Sequence, residues 1–395
     1  MNITGIIAEY NPLHNGHIYH IEESRKITNC DGIICVMSGN YVQRGLPAII
    51  DKWNRAEAAL KNGVDLVIEL PTVYSLSSAE FFAFGSVSLL NNLCFGSESG
   101  NVDIQKKIAT ILIEEPTEFK LKLKEYLDKG LSYPAARSKS LSNLFQDNSS
   151  ISNILSCSNN ILGIEYCKSL LRLNSTITPY TVHRKGSAYN SSIITENNFC
   201  SATAIRKHLK TKDNIDILKE KVPHYSFEII KTINNKNSLT FEDSMLKFLK
   251  FKAFTSSNTL ENLPDVSEGL HNKILKSIYD ANTYQELVSN IKSKRYAETR
   301  INRILCQYFI GFDRYNIKTL RNLSCPYARV LGFNNTGREI LKKLKVTSSI
   351  PLYTKLPKNL NETLTLDIQA TNAYSLMNSS LAPYSDYLIS PITLL

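Results

Sequence analysis

The sequence predicts an α/β fold: a Rossmann-like domain with a parallel sheet, followed by a mostly helical, basic C-terminal domain. Three observations carry this. Short apolar runs at 3–8, 32–37, 64–70 and 93–95 alternate with segments of helical periodicity, the pattern of a parallel sheet covered by helices on both faces. Past about Lys210 the alternation stops and helical segments follow one another. Charge divides near the same place, with 18 Lys+Arg against 19 Asp+Glu through residue 200 and 28 against 17 after it. The expected domains are therefore 1–210, carrying the sheet, and 211–395, mostly helical with a small mixed end.

Ile3, Ile6, Ile7 and Ala8 make the first strand. Asn11-Pro12 ends it, because proline has no amide donor and keeps the preceding residue out of the helical region. From Asn15 the pattern turns helical, with Ile18, Ile21 and Ile27 between charged residues. Gly32 to Met37 is the second strand, ended by Ser38-Gly39-Asn40. Lys52 to Asn62 is a helix closed by Gly63, Val64 to Leu70 a third strand stopped by Pro71. Ser78 to Asn91 is helical, and Leu93-Cys94-Phe95 is a fourth strand before Gly96-Ser97-Glu98. Ligands of such sheets bind outside the carboxyl ends of the strands, where His14, Ser38 and Gly96 fall. Lys106 to Gly130 is helical. Residues 131–158, rich in serine and asparagine and containing Arg137, are expected to form a mobile surface segment. Asn159-Asn160 opens a helix, and Thr176 to Val182 is a strand followed by His183-Arg184-Lys185-Gly186-Ser187. Ser201-Ala202-Thr203-Ala204-Ile205-Arg206 opens another helix. Beyond 210, Lys219 to Ile233, Phe241 to Phe254, Leu270 to Asp280 and Thr283 to Leu305 read as helices. Asn334 to Gly337 reads as a turn before a Lys-rich helix through Lys345.

The chemistry concentrates behind the first strand, in Asn11-Pro12-Leu13-His14-Asn15-Gly16-His17. A lone histidine at a helix start is most often a cap or a surface residue. Two of them, three residues apart at a strand-to-helix corner, share one face, and Gly16 leaves no side chain between them. A helix amino terminus offers unpaired amides and a partial positive charge suited to phosphate. The imidazoles add donors for charge developing on a phosphate oxygen. Arg184 and Lys185 supply cations for a polyphosphate, and Ser201, Thr203 and Arg206 read as a second phosphate clamp. The expected catalytic residues are His14, His17, Lys185 and Arg206.

Other features narrow the class. No apolar run approaches the roughly 18–20 residues that span a bilayer, and no secretory signal is visible. Eight cysteines form no Cys-x-x-Cys pair, so no metal site is expected, and reduced cysteines in a cytoplasmic protein are. No Walker-type glycine loop appears. The positive second half suits a polyanion. Its densest cationic stretch is 293–303, where Lys294, Arg295, Arg300 and Arg303, with Tyr296 nearby, are the expected RNA contacts.

His-x-Gly-His behind an apolar strand is the pattern of the nucleotidylyltransferase-like superfamily. The chain more specifically resembles the bacterial tRNA(Met) cytidine acetate ligases, through Glu9-Tyr10-Asn11-Pro12-Leu13-His14-Asn15-Gly16-His17, Val36-Met37-Ser38-Gly39, Gln43-Arg44-Gly45 and Gly63 to Pro71. Phe95-Gly96-Ser97-Glu98, Asn160 to Tyr166, Arg329 to Asn334 and Ile350-Pro351 continue the resemblance to about Tyr374. The resemblance implies a nucleotidyltransferase domain and an ATP-dependent ligase. Such an enzyme activates acetate as acetyl-adenylate and acetylates N4 of the wobble cytidine of elongator tRNA(Met), releasing AMP and pyrophosphate. It also implies ATP contacts at Ile7, Ala8, Glu9, Tyr10, Asn11, Pro12, Leu13, His14, Asn15, Gly16, His17, Ile18, Tyr19, His20, Gly96 and Arg184, and at one of Asn159 and Asn160. Ala202 stands where relatives often carry serine, and Leu13 where phenylalanine is common. The implied partners are ATP with Mg²⁺, acetate and elongator tRNA(Met), with neither membrane nor DNA. Two rivals share the phosphate machinery: an adenylyltransferase acting on a small phosphate-bearing metabolite, and a non-catalytic RNA-binding protein with a relic nucleotide fold.

Overall fold

The computed structural model describes residues 1–145, 148–185, 200–211 and 213–394. Its strands are β1 (Ile3–Ala8), β2 (Gly32–Ser38), β3 (Tyr41–Val42), β4 (Leu46–Pro47), β5 (Leu66–Leu70), β6 (Leu93–Ser97), β7 (Pro179–His183), β8 (Ala328–Asn334), β9 (Leu352–Tyr353) and β10 (Ile392–Leu394). The main sheet runs β10-β8-β5-β2-β1-β6-β7, with β9 on β8, while β3 and β4 form a small hairpin of their own. β1, β2, β5, β6 and β7 are mutually parallel. The strand order reverses at β1, which lies between β2 and β6, and the crevice beside such a switch point is where an open α/β sheet holds its ligand.

Period-two alternation decides which side chains each face buries. Ile33, Cys35 and Met37 turn to one core with Ile6, Ile21, Ala56 and Leu60, while Ile34 and Val36 turn to the other with Leu93 and Phe95. The first core is closed by the helices Asn15–Thr28 and Lys52–Lys61. Cys30 and Cys157 are partly exposed and the other six cysteines buried, and none is in a disulfide.

Several expectations change. The sheet is mixed, because β8 pairs antiparallel to β5. Three strands from the second half, β8, β9 and β10, belong to that sheet. The larger core also runs without a break from Ile34 and Phe95 into Leu249, Ile274 and Ile304, so residue 210 separates neither sheets nor cores. The segment expected to be mobile forms the helices Tyr133–Leu144 and Asn148–Ser156. Leu141 and Ile151, both buried, anchor them, and Arg137 pairs with Glu165 at 3.4 Å. Low-complexity composition hid the apolar positions. The helix expected over 283–305 is two, Tyr284–Ile291 and Glu298–Ile310. Asn334 caps the helix Asn335–Thr347, its side chain accepting from Gly337 N at 2.9 Å, where a turn was expected.

A buried ionic cluster joins the C-terminal segment to the sheet. Lys52 Nζ lies 2.7 Å from both Glu69 Oε1 and Asp386 Oδ1, and Arg329 Nη1 lies 2.7 Å from Asp386 Oδ1. Asp367 accepts from Thr72 N at 2.6 Å and from Tyr327 Oη at 2.5 Å. Two cations face three carboxylates, so one carboxyl is left in excess. Burial first, and Glu69 second, push the Asp367 carboxyl up to about 7.

Candidate active site

β1 leads into a sharp corner. Tyr10 takes φ +46 and the Asn11–Pro12 bond is cis, and the chain re-enters a helix at Asn15. Histidine performs both halves of the cap. His14 Nδ1 accepts from Gly16 N at 3.1 Å, and His17 Nδ1 accepts from His14 N at 3.1 Å. With each Nδ1 lone pair engaged, the ring proton sits on Nε2 in both residues. The two rings stack at 3.8 Å between centroids, and Tyr10 stands edge-on to His17 at 5.0 Å. Burial, then Arg184 and Arg206, pull His14 down to about 3. His17 is lowered by burial and by His14, and His20 by burial and Arg184 to about 4. All three are neutral at pH 7, so the site presents Nε2–H donors from His14 and His17 that carry no charge.

The corner is braced from beneath by Arg55, which is 1 % exposed. Its guanidinium donates to Ile50 O at 2.9 Å, Glu9 O at 2.6 Å, Ser38 O at 3.0 Å and Gly39 O. Carbonyls at the carboxyl ends of β1 and β2 thus share one cation. Ser38, at that edge as expected, is fixed in this way and does not line the cleft.

A cleft opens over the histidines. Its walls include Ile7, Ala8, Glu9, Tyr10, Asn11, His14, Gly16, His17, Tyr19, His20, Gly96, Asn159, Arg184, Lys185, Ser201, Thr203 and Arg206. The cations are held in place: Arg206 donates to Asn11 O at 2.7 Å and to Thr203 Oγ1 at 3.1 Å. Lys185 Nζ lies 4.6 Å above the Tyr19 ring, and Arg184 N bonds Ser97 O at 3.0 Å. Ser201 lines the cleft while its oxygen caps the following helix, accepting from Ala204 N at 3.1 Å. Gly186 and Ser187 of the expected phosphate loop lie outside the described residues.

Other expected contacts face elsewhere. Leu13 is 2 % exposed in the core with Ile21 and Ile33, and Ile18 packs against the same cluster. Pro12 shapes the corner without lining the cleft. Asn15 turns toward residues 220–221, its Nδ2 donating to Glu220 O at 2.8 Å. Asn159 and Asn160 separate cleanly. Asn159 lines the cleft, its Nδ2 donating to Glu98 Oε1 at 2.7 Å, whereas Asn160 is buried and accepts from Ser99 N at 3.0 Å. Val42, Leu46, Phe82, Phe95, Leu162 and Tyr166 give the cleft its apolar walls, joined by Gln43 and Arg44 of the β3–β4 hairpin, and none of these is among the expected contacts. The Gln43-Arg44-Gly45 motif was the available signal for that hairpin. Gln43 N donates to Glu9 Oε1 at 2.7 Å, tying the hairpin to the corner. Burial raises the Glu9 carboxyl against the pull of Gln43 N and three arginines.

The basic stretch differs from expectation. Arg303 is 9 % exposed and reaches Gln43 O at 3.5 Å, so it is packed inside against the hairpin. Arg300 donates to Asp265 O at 2.7 Å, and Arg295 pairs with Glu268. Lys294 is exposed. Gly45, at φ +81, lies against this helix so closely that a Cβ there would fall 2.1 Å from Arg303 N.

Comparison with known proteins gives the family. The family model for HIGH nucleotidyl transferases matches residues 1–386. The tRNA(Met) cytidine acetate ligase of Clostridium novyi is 63 % identical over 400 residues, covering 100 % of both chains. The chain belongs to the tRNA(Met) cytidine acetate ligase family. The ligase of Clostridium tetani is 52 % identical over 99 % of this chain and 100 % of its own. The Thermotoga maritima ligase structure bound with alpha-thio ATP superposes with a TM-score of 0.89 at 33 % identity, and its apo form with 0.91, each over 100 % of both chains. Among the described residues no helix is long and apolar enough to cross a membrane, and no group of three His, Cys, Asp or Glu side chains is placed to hold a metal.

Proposed function

We propose that this chain joins acetate to ATP as acetyl-adenylate and passes the acetyl group to N4 of the wobble cytidine of elongator tRNA(Met), in the cytoplasm. The supporting observation is the pair of neutral Nε2–H donors at the strand-to-helix corner, beside Arg184, Lys185 and Arg206 and beneath an apolar wall. In the first step an acetate oxygen attacks the α-phosphorus and pyrophosphate leaves. His14 and His17 donate to the α-phosphate oxygens as charge builds there. Arg184, Lys185 and Arg206 meet the β and γ phosphates and lessen the repulsion between two anions. Glu9 is the one carboxylate among the described lining residues. The donor set therefore makes no cage for Mg²⁺, which travels with the triphosphate oxygens as ATP's counter-ion.

The adenine belongs against Phe95, Leu162 and Tyr166. Asn159 donates one amide hydrogen to Glu98, which holds the side chain so that its carbonyl oxygen can accept from the adenine amino group. Acetate belongs on the hairpin side, with Arg44 for its carboxylate and Val42, Leu46 and Phe82 around its methyl group. Exclusion of longer acids would come from those side chains. In the second step the N4 amine forms the C–N bond, the C–O bond to AMP breaks and the nitrogen loses a proton. Positioning on the enzyme supplies much of this rate. The test is incubation with ATP, labelled acetate and tRNA(Met), followed by nucleoside analysis. Labelled N4-acetylcytidine is expected, and its absence with an active preparation that binds ATP would overturn the reading.

A further inference from the structure

The helix Leu246–Thr255 carries two of the most exposed aromatic rings among the described residues. Phe251 is 69 % and Phe254 67 % exposed, and Tyr279, on the neighbouring helix Leu270–Asp280, is 43 % exposed. Phe254 and Tyr279 lie parallel, 5.4 Å between centroids with 6° between planes. Lys250 Nζ donates to Tyr279 O at 3.4 Å, and Lys247 Nζ sits 4.9 Å from the Phe248 ring. Lys247, Phe251 and Phe254 fall at i, i+4 and i+7, a single stripe along the helix. The helix holds three lysines and no carboxylate. Lys252 alone of these is spent on a carboxylate within the described fold, Asp313.

We propose that this stripe, Phe251, Phe254 and Tyr279 flanked by Lys247 and Lys250, is where unpaired bases of the substrate RNA loop stack. The inference rests on the RNA-acetylating reading above and extends it to a surface. Flat rings exposed among cations are what single-stranded nucleic acid recognition requires, because every base has a face to stack and every linkage a phosphate to neutralise. A second copy of this chain is a poorer occupant, since a two-fold contact would set lysines against lysines.

Packing contacts lead from the start of this helix to the hairpin that walls the cleft. Met245, immediately before the helix, has its sulfur 3.6 Å from Cys306 Sγ, which in turn donates to Gly45 O at 3.0 Å. Gly45 follows Arg44, a wall residue of the cleft. At 1.5 Å per residue Phe251 and Phe254 lie about 9 and about 14 Å along the helix from Met245. At ~3.4 Å per nucleotide of a stacked strand, that is about three to four nucleotides. From the Met245 contact outward the helix therefore offers the length of a short stacked run of bases.

The test compares Phe251→Ala/Phe254→Ala, Phe251→Leu/Phe254→Leu and Phe251→Trp/Phe254→Trp with the wild-type chain. Acetate-dependent exchange of pyrophosphate into ATP, tRNA(Met) affinity and sedimentation are measured for each. The alanine and leucine pairs are expected to exchange at the wild-type rate and bind tRNA at least about tenfold more weakly, and the tryptophan pair to retain affinity. Lys247→Ala/Lys250→Ala should flatten the salt dependence of binding by about 0.7 per lysine. Wild-type tRNA affinity in the leucine pair would overturn the proposal. A loss of self-association with tRNA affinity intact would assign the stripe to a second copy and overturn it equally. Wild-type protein that binds tRNA through these rings yet never acetylates it would sink the functional reading and leave the surface standing.

Discussion

Histidine 14 does two things at once, and a pair of substitutions separates them. Its Nδ1 caps the helix by accepting from Gly16 N, and its Nε2–H is left as a neutral donor. His14→Ala removes both, costing about 1 kcal/mol of stability for the lost cap and about 10²–10³ in the rate of acetyl-adenylate formation for the lost donor. His14→Asn restores a cap, since asparagine is among the best residues there, but cannot place a donor where the imidazole Nε2 lies. Urea unfolding of the asparagine variant should match wild type near pH 7 within about 0.5 kcal/mol, the smallest usual cost of losing such a cap, while acetate-dependent pyrophosphate exchange falls as far as in the alanine variant. The pH dependence follows with its sign. The folded-state pKa of His14 is depressed, to about 3, so below the ordinary value of 6.5 the unfolded chain takes the proton first. The stability contributed by the neutral ring is present above 6.5 and is lost as pH falls toward 3. Between pH 6.5 and 5 wild type should lose up to about 2 kcal/mol more than His14→Asn. Exchange itself should run level from pH 6 to 8. An inflection near 6.5, or an asparagine variant with full activity, would refute the neutral-donor argument.

Other outcomes follow from the same geometry. Asp367, pushed up to about 7, holds a proton in the folded state that the unfolded chain releases near 4. Stability should therefore fall as pH rises from 4 to 7, and Asp367→Asn, measured by urea unfolding at pH 5 and 8, should remove most of that decline, about 2–4 kcal/mol. Lys52→Met leaves Glu69 and Asp386 facing one another with Arg329 alone, and should cost about 3–5 kcal/mol, partly restored by Asp386→Asn in the double-mutant cycle. Arg303→Met should lower stability by about 1–3 kcal/mol with tRNA affinity unchanged. A tRNA defect at wild-type stability would return Arg303 to the RNA surface.

The sequence exposed those parts of the site that lie in one continuous stretch. Strand, breaker, glycine and the two histidines occupy neighbouring positions, so periodicity and spacing alone located the corner. Arg184, Lys185 and Arg206 were legible because each follows or opens an element. Arg55 was not: its cationic side chain looks like a surface residue on a helix, and only the closed structure shows four carbonyls converging on it. Arg303 misled for the converse reason, since density of charge along a chain does not report which face of a helix is buried. The apolar walls of the cleft come from separate elements at 42, 46, 82, 95, 162 and 166, and no local pattern joins them. β8 and β10 were hidden by distance, their partners lying more than 200 residues earlier or across the sheet edge.

The account depends on acetate striking the α-phosphorus in the cleft that His14 and His17 face. Acetate labelled with ¹⁸O in both carboxyl positions follows that bond directly, by mass spectrometry of the AMP released as tRNA is acetylated. One labelled oxygen in the AMP phosphate is predicted. Unlabelled AMP, or label in orthophosphate, would contradict it.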